Sequence, residues 1–167
     1  AEFGASGVRR RVEIPGAADG PVLAYAASTY ALAFWQNTGQ LLTLVLVSHG
    51  EIVGMPVIAR GNSPVIAAEG DGFALVWSAA PAEQPPGERL FFARLTIHGA
   101  LLPGYPVRVD DEEVIQSHAS IAGGNCGLAV AYRLGMPTAT TRVAVMRGLG
   151  ISRGAPWHPS KRPPREE

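Results

Sequence analysis

Pro64-Val65-Ile66-Ala67, Phe73-Ala74-Leu75-Val76-Trp77, Leu90-Phe91-Phe92-Ala93-Arg94-Leu95 and Gly104-Tyr105-Pro106-Val107-Arg108-Val109 follow one another in the middle of the chain. Each run is short and rich in branched or aromatic side chains, which fit a pleated, half-buried surface. Gly, Pro, Asn, Asp or Ser bounds each run, and Asp71-Gly72 and His98-Gly99 read as the turns between them. None reaches helical length with an apolar period of 3.6, so four strands are predicted and no helix.

The same pattern stands on either side. Upstream are Pro21-Val22-Leu23-Ala24, Tyr30 to Trp35, Leu41 to Val47, the turn His49-Gly50, and Gly54-Met55-Pro56-Val57-Ile58. Downstream are Ala119 to Ala122, Leu128 to Tyr132, Arg142 to Met146, Gly148, and Gly154-Ala155-Pro156. Gly54, Gly104 and Gly154 are evenly spaced, as are Pro56, Pro106 and Pro156. A fixed period of this length marks a repeat architecture. Proline cannot donate to a ladder, so the Gly-x-Pro strand belongs at the outer edge of its sheet, and the small apolar strand at the inner edge.

Four short strands per repeat make the blade of a β-propeller. The order of small apolar strand, Phe-Ala-Leu-Val-Trp, Leu-Phe-Phe-Ala-Arg-Leu, turn glycine and Gly-x-Pro-Val resembles bacterial β-propeller repeat proteins over residues 7–156. It departs from the WD, kelch and Asp-box signatures. The fold expected is all-β, with three blades at about 7–59, 60–109 and 110–156. Residues 1–6 read as a flexible leader or vector-derived remnant, and the Pro-rich stretch 157–167 as a flexible tail. Three blades do not close a ring, since propellers have about 4 to 8. A homo-oligomer or the remaining blades of a longer chain is therefore the expected partner. The stretch 7–14 alternates like a strand and reads either as an outer strand for a blade or as a frayed arm.

Lys and Arg number 14, as do Asp and Glu. That balance supplies no field to favour nucleic acid or an anionic membrane. No apolar run is long enough to cross a bilayer as a helix. The lone Cys126 leaves the redox compartment open. No His and Cys spacing fits zinc, and no cofactor motif is present.

In a propeller, the links from each outer strand to the next inner strand open on one face around the axis. Loops on a rigid scaffold concentrate binding residues. Asp19, Arg60, Asn62, Ser63, Ser117 and His118 lie in those links and are the candidate ligand-binding residues. The competing reading for the serines is local hydrogen bonding in turns. The acidic run Asp110 to Glu113 lacks the spacing of a calcium loop and reads as solvated. His49 and His98 precede turn glycines and read as turn formers. Ser117 and His118 are adjacent on an extended chain, which points them apart and argues against a Ser-His pair. Trp35, Trp77 and Tyr132 end the second strand of their repeats and read as packing between blades. A binding or scaffold module for a glycan, peptide or protein is the function expected. The alternatives are part of a catalytic propeller (hydrolase or lyase) whose active groups lie partly in other blades, or a structural fragment without activity of its own. An enzyme is the less favoured reading, because the predicted strands carry almost no carboxylates.

Overall fold

The computed structural model describes residues 2–4, 7–10, 12–14, 20–36, 41–80, 88–109, 116–124, 127–135 and 140–146. All regular structure among them is β, and no helix occurs. Strands β1 (Glu2–Gly4) and β2 (Gly7–Arg10) pair with each other. Three larger antiparallel sheets follow, none of them closed. Sheet I holds β3 (Val22–Ala26), β4 (Thr29–Gln36), β5 (Leu41–Ser48), β6 (Glu51–Gly54) and β7 (Val57–Arg60), in order β3-β4-β5-β6, with β7 also on β5. Sheet II holds β8 (Asn62–Glu69), β9 (Gly72–Ala79), β10 (Arg89–Leu95) and β11 (Val107–Arg108) in chain order. Sheet III holds β12 (Gln116–Gly124), β13 (Gly127–Leu134) and β14 (Thr140–Met146). The third Gly-x-Pro, at 154–156, lies outside the described residues.

Each sheet is an antiparallel meander. Ala27 and Ser28 turn β3 into β4, both with positive φ, as the hairpin favoured by strand twist requires. In sheet II the turn sits one residue earlier than Asp71-Gly72 suggests. Gly70 takes the positive φ and Glu69 pairs with Gly72. The Gly-x-Pro segment interrupts the outer strand. It separates β6 from β7 in sheet I, where Leu44 still donates to the Pro56 carbonyl at 3.0 Å. In sheet II it separates the Leu95–Leu101 bridge from β11.

The sheets stack face to face in chain order. Sheet I turns Ala24, Ala31, Ala33, Leu42 and Leu44 toward Ile66, Phe73, Leu75 and Trp77 of sheet II, all buried in one cluster. The other face of sheet II, with Ala74, Val76, Leu90 and Phe92, meets Leu128, Val130 and Tyr132 of sheet III in a second cluster. Strand β9 is covered on both faces, which is why it reads as an unbroken apolar run rather than an alternating one. Strand β3 alternates instead, with Ala24 and Ala26 buried and Leu23 and Tyr25 exposed. Trp77 stacks on its cross-strand neighbour Phe91 with centroids 5.9 Å apart. Truncating such a residue to alanine costs about 3–5 kcal/mol.

Register corrects one expected equivalence. Thr29, Gly72 and Gly127 each begin the second strand after the turn, as their pairings with Ala26, Glu69 and Gly124 show. Counting from them places Phe34, not Trp35, at the position of Trp77 and Tyr132. Phe34, Trp77 and Tyr132 are all buried, while Trp35 is only half-buried. The last aromatic residue of the apolar run, which guided the alignment from sequence, stands one residue further into the second strand in sheet I than in sheets II and III.

Candidate functional site

The inner strands of sheets II and III begin alike. Between Asn62 and Val65 the pairing of β8 with β9 shifts, and between Ser117 and Ser120 that of β12 with β13 does the same. At each shift one residue takes a left-handed conformation, Ser63 with φ 47° and His118 with φ 51°. Gly20, two residues before the first paired residue of β3, holds the same place with φ 64°. Non-glycine residues take this conformation at a cost of about 1–2 kcal/mol. Ser63 and His118 are thus held out of the strand alternation by their bulges. The alternation argument that set Ser117 and His118 on opposite sides does not apply at a bulge.

These three equivalent positions open on one cavity. Gly20, Ser63, Pro64, Val65, Ser78, Glu88, His118 and Ala119 line a volume of about 300 Å³. A polar chain braces its wall. Asn62 Nδ2 donates to Glu88 Oε1 at 2.9 Å, and Ser78 Oγ hydrogen bonds to Asn62 Oδ1. Asn62 therefore spans from the inner strand to the start of the third strand and fixes one oxygen of Glu88 at the cavity. Polar groups sit beside the aliphatic Pro64, Val65 and Ala119, the mixed lining that ligand pockets use.

Of the residues chosen from sequence, Ser63 and His118 line this cavity and both are exposed. Asn62 stands behind it, holding Glu88. Arg60 is exposed at the end of β7, opposite Leu41, and is not among the lining residues. The backbone of Ser117 pairs with Arg133. Asp19 lies outside the described residues, as does the run 110–113. Sequence reasoning missed Ser78 and Glu88 because it followed only the links between sheets. In an antiparallel meander the end of the second strand and the start of the third lie at the same end as the entry of the first, and that rule would have found both.

His49 takes φ 51° in the turn before Gly50, and His98 is exposed in the turn before Gly99. At the opposite end of sheet II, Arg94 makes a two-pronged contact with Glu69, Nε to Oε2 at 2.8 Å and Nη2 to Oε1 at 2.6 Å. Its Nη1 donates to the Tyr105 hydroxyl at 3.4 Å. Burial works against the charged guanidinium, but the Glu69 carboxylate outweighs it and the Arg94 pKa is raised. No group of three or more His, Cys, Asp or Glu among the described residues is placed to hold a metal ion. No helix among them is long and apolar enough to cross a membrane.

Comparison with protein-family models, curated proteins and solved structures returns no match for this chain.

Proposed function

We propose that the three sheets are blades of a β-propeller and that the protein is a binding module. Its ligand is a hydroxyl-rich group, the terminal sugar of a glycan, taken up in the cavity at the inner-strand entries. The observation that supports this reading is the convergence of Gly20, Ser63 and His118, one equivalent residue from each sheet, on a cavity where Asn62 orients the Glu88 carboxylate. A volume of about 300 Å³ suits a unit of monosaccharide size. Carboxylate, hydroxyls and imidazole together accept from and donate to sugar hydroxyls.

A glycan array followed by calorimetric titration tests the reading. Glu88→Gln is expected to weaken binding about tenfold, equivalent to about 1.4 kcal/mol. Arg60→Ala, outside the cavity, is expected to leave affinity unchanged. Failure to bind any glycan, or binding indifferent to both Glu88→Gln and His118→Ala, overturns it. Selective peptide binding that depends on the same residues would replace the sugar with a side chain. The catalytic alternative has in its favour that His118 and Glu88 share the cavity, as an acid and base would. Turnover of a bound glycoside that His118→Ala abolishes would establish it.

A further inference from the structure

We infer that the cavity selects an amine-bearing sugar: the terminal unit it takes up is a hexosamine whose nitrogen is free and protonated. This rests on the glycan reading above and names the class of sugar that fits it. The hydrogen-bond polarity of one wall points to it. An ionised carboxylate only accepts, so the Asn62 group facing Glu88 is the amide NH2, with Nδ2 2.9 Å from Glu88 Oε1. The Asn62 carbonyl oxygen is then turned to Ser78, and a carbonyl only accepts as well. Ser78 therefore gives its hydroxyl proton to Asn62, either to Oδ1 or to the backbone oxygen 3.4 Å away. What Ser78 has left to offer the cavity is lone pairs. Glu88 offers the same, because Oε1 is held by Asn62 and Oε2 has no partner among the described residues. Two acceptors tied to one asparagine thus line the cavity together. A sugar hydroxyl donates one proton to such a wall and brings lone pairs of its own. An ammonium brings three N–H donors and no acceptor.

Charge points the same way. Among the described residues lining the cavity, Glu88 is the one carboxylate, and none is Lys or Arg. Arg89, next in sequence, belongs to the other face of β10, where strand alternation sets it with Phe91, Ala93 and Leu95 against sheet I. Its hydrogen bond to Glu88 runs to the backbone carbonyl at 3.3 Å, not to the carboxylate. Glu88 is half-buried, so a ligand that covers it removes hydration that no protein cation replaces. A neutral sugar returns part of that loss. An ammonium returns more, since a charge-assisted hydrogen bond is about twice as strong as a neutral one. An acidic sugar would set like charges together. Acetylating the nitrogen removes its charge and leaves a single N–H. Ser63 and His118, from the entries of sheets II and III, remain for the ring hydroxyls.

Calorimetric titration near neutral pH with glucosamine, N-acetylglucosamine and glucose, and with the three corresponding galactose sugars, tests the inference. In at least one set the amine sugar is expected to bind about tenfold more tightly than either of its partners. Glu88→Gln keeps an acceptor for Asn62 and removes the charge, so it is expected to bring the amine sugar down to the affinity of the neutral one. Added salt is expected to weaken the amine sugar and spare the neutral one. Neutral or acetylated sugars bound as tightly as the amine sugar overturn the inference and leave the glycan reading standing. A preference for the amine that persists in Glu88→Gln also overturns it. Binding of Nα-acetyl-lysine amide that depends on Glu88, with no sugar bound, would keep the ammonium and remove the glycan. Silence of every probe overturns both.

Discussion

Gly123 on the inner strand of sheet III lies against the backbone of Ala68 on the inner strand of sheet II, so closely that a Cβ on Gly123 would stand 2.5 Å from the Ala68 carbonyl oxygen. Gly123 is itself exposed, so its size is set by the neighbouring strand and not by a surrounding core. An exposed glycine inside a strand ordinarily gains stability on replacement by alanine. Here the obstacle is backbone, which cannot swing aside. Gly123→Ala is expected to destabilise the fold by about 1–3 kcal/mol, the range for overpacking, as read by chemical denaturation. A neutral or stabilising result would mean that sheets II and III sit further apart.

The Arg94–Glu69 pair tests the same interface from its opposite side. It lies on the face of sheet II turned toward sheet III, next to Phe92, whose ring is 5.9 Å from the guanidinium carbon. Its side chains are 11 % and 22 % exposed, so removing one charge leaves the other poorly hydrated. Glu69→Gln is expected to cost about 2–3 kcal/mol, somewhat below the value for a fully buried pair. Replacing both by Met is expected to cost less than Glu69→Gln alone, because no orphaned charge remains. The raised Arg94 pKa gives a sign as well. Its contribution is fully present below the ordinary arginine value and is lost only as pH rises through the higher folded value. Thermal melts from neutral to moderately alkaline pH should therefore show no loss attributable to Arg94.

Gly20 isolates the backbone cost of the left-handed position that recurs at the cavity. Its φ is 64° and a Cβ there would meet nothing within 4 Å. Gly20→Ala is therefore expected to lose about 1 kcal/mol from conformation alone, and Gly20→Asn less, since asparagine visits the left-handed region more readily. Equal losses for the two variants would mean that the position is not held in that conformation.

The all-β character was legible because each repeat carries strand chemistry bounded by turn residues, and the doubly covered β9 announced itself in Phe73 to Trp77. Three things were not legible. Ala27 and Ser28 have no composition that signals a tight hairpin, yet the pairing on either side forces positive φ on both. Ser63 and His118 were candidates by their place in the links between sheets, but only the register shift and positive φ show that each takes the position of Gly20. Glu88 was hidden because its role depends on Asn62, distant in sequence and joined to it by the meander.

Thr43 carries the last prediction. It pairs with Phe34 on the outward face of sheet I, is 3 % exposed, and its Oγ1 has no hydrogen-bond partner among the described residues. A buried hydroxyl without a partner loses its hydration for no return, a penalty of about 1–3 kcal/mol. Valine has nearly the same shape and no polar atom, and it keeps the branching that suits a strand. Thr43→Val is expected to raise stability by about 1 kcal/mol, visible as a higher Tm. Thr43→Ser, which keeps the hydroxyl and deletes a methyl, is expected to lower it. The comparison separates polarity from volume. If Thr43→Val destabilises, the hydroxyl has a partner when the protein is in solution, and the outward face of sheet I is wetter than its apolar neighbours Phe34 and Val45 imply.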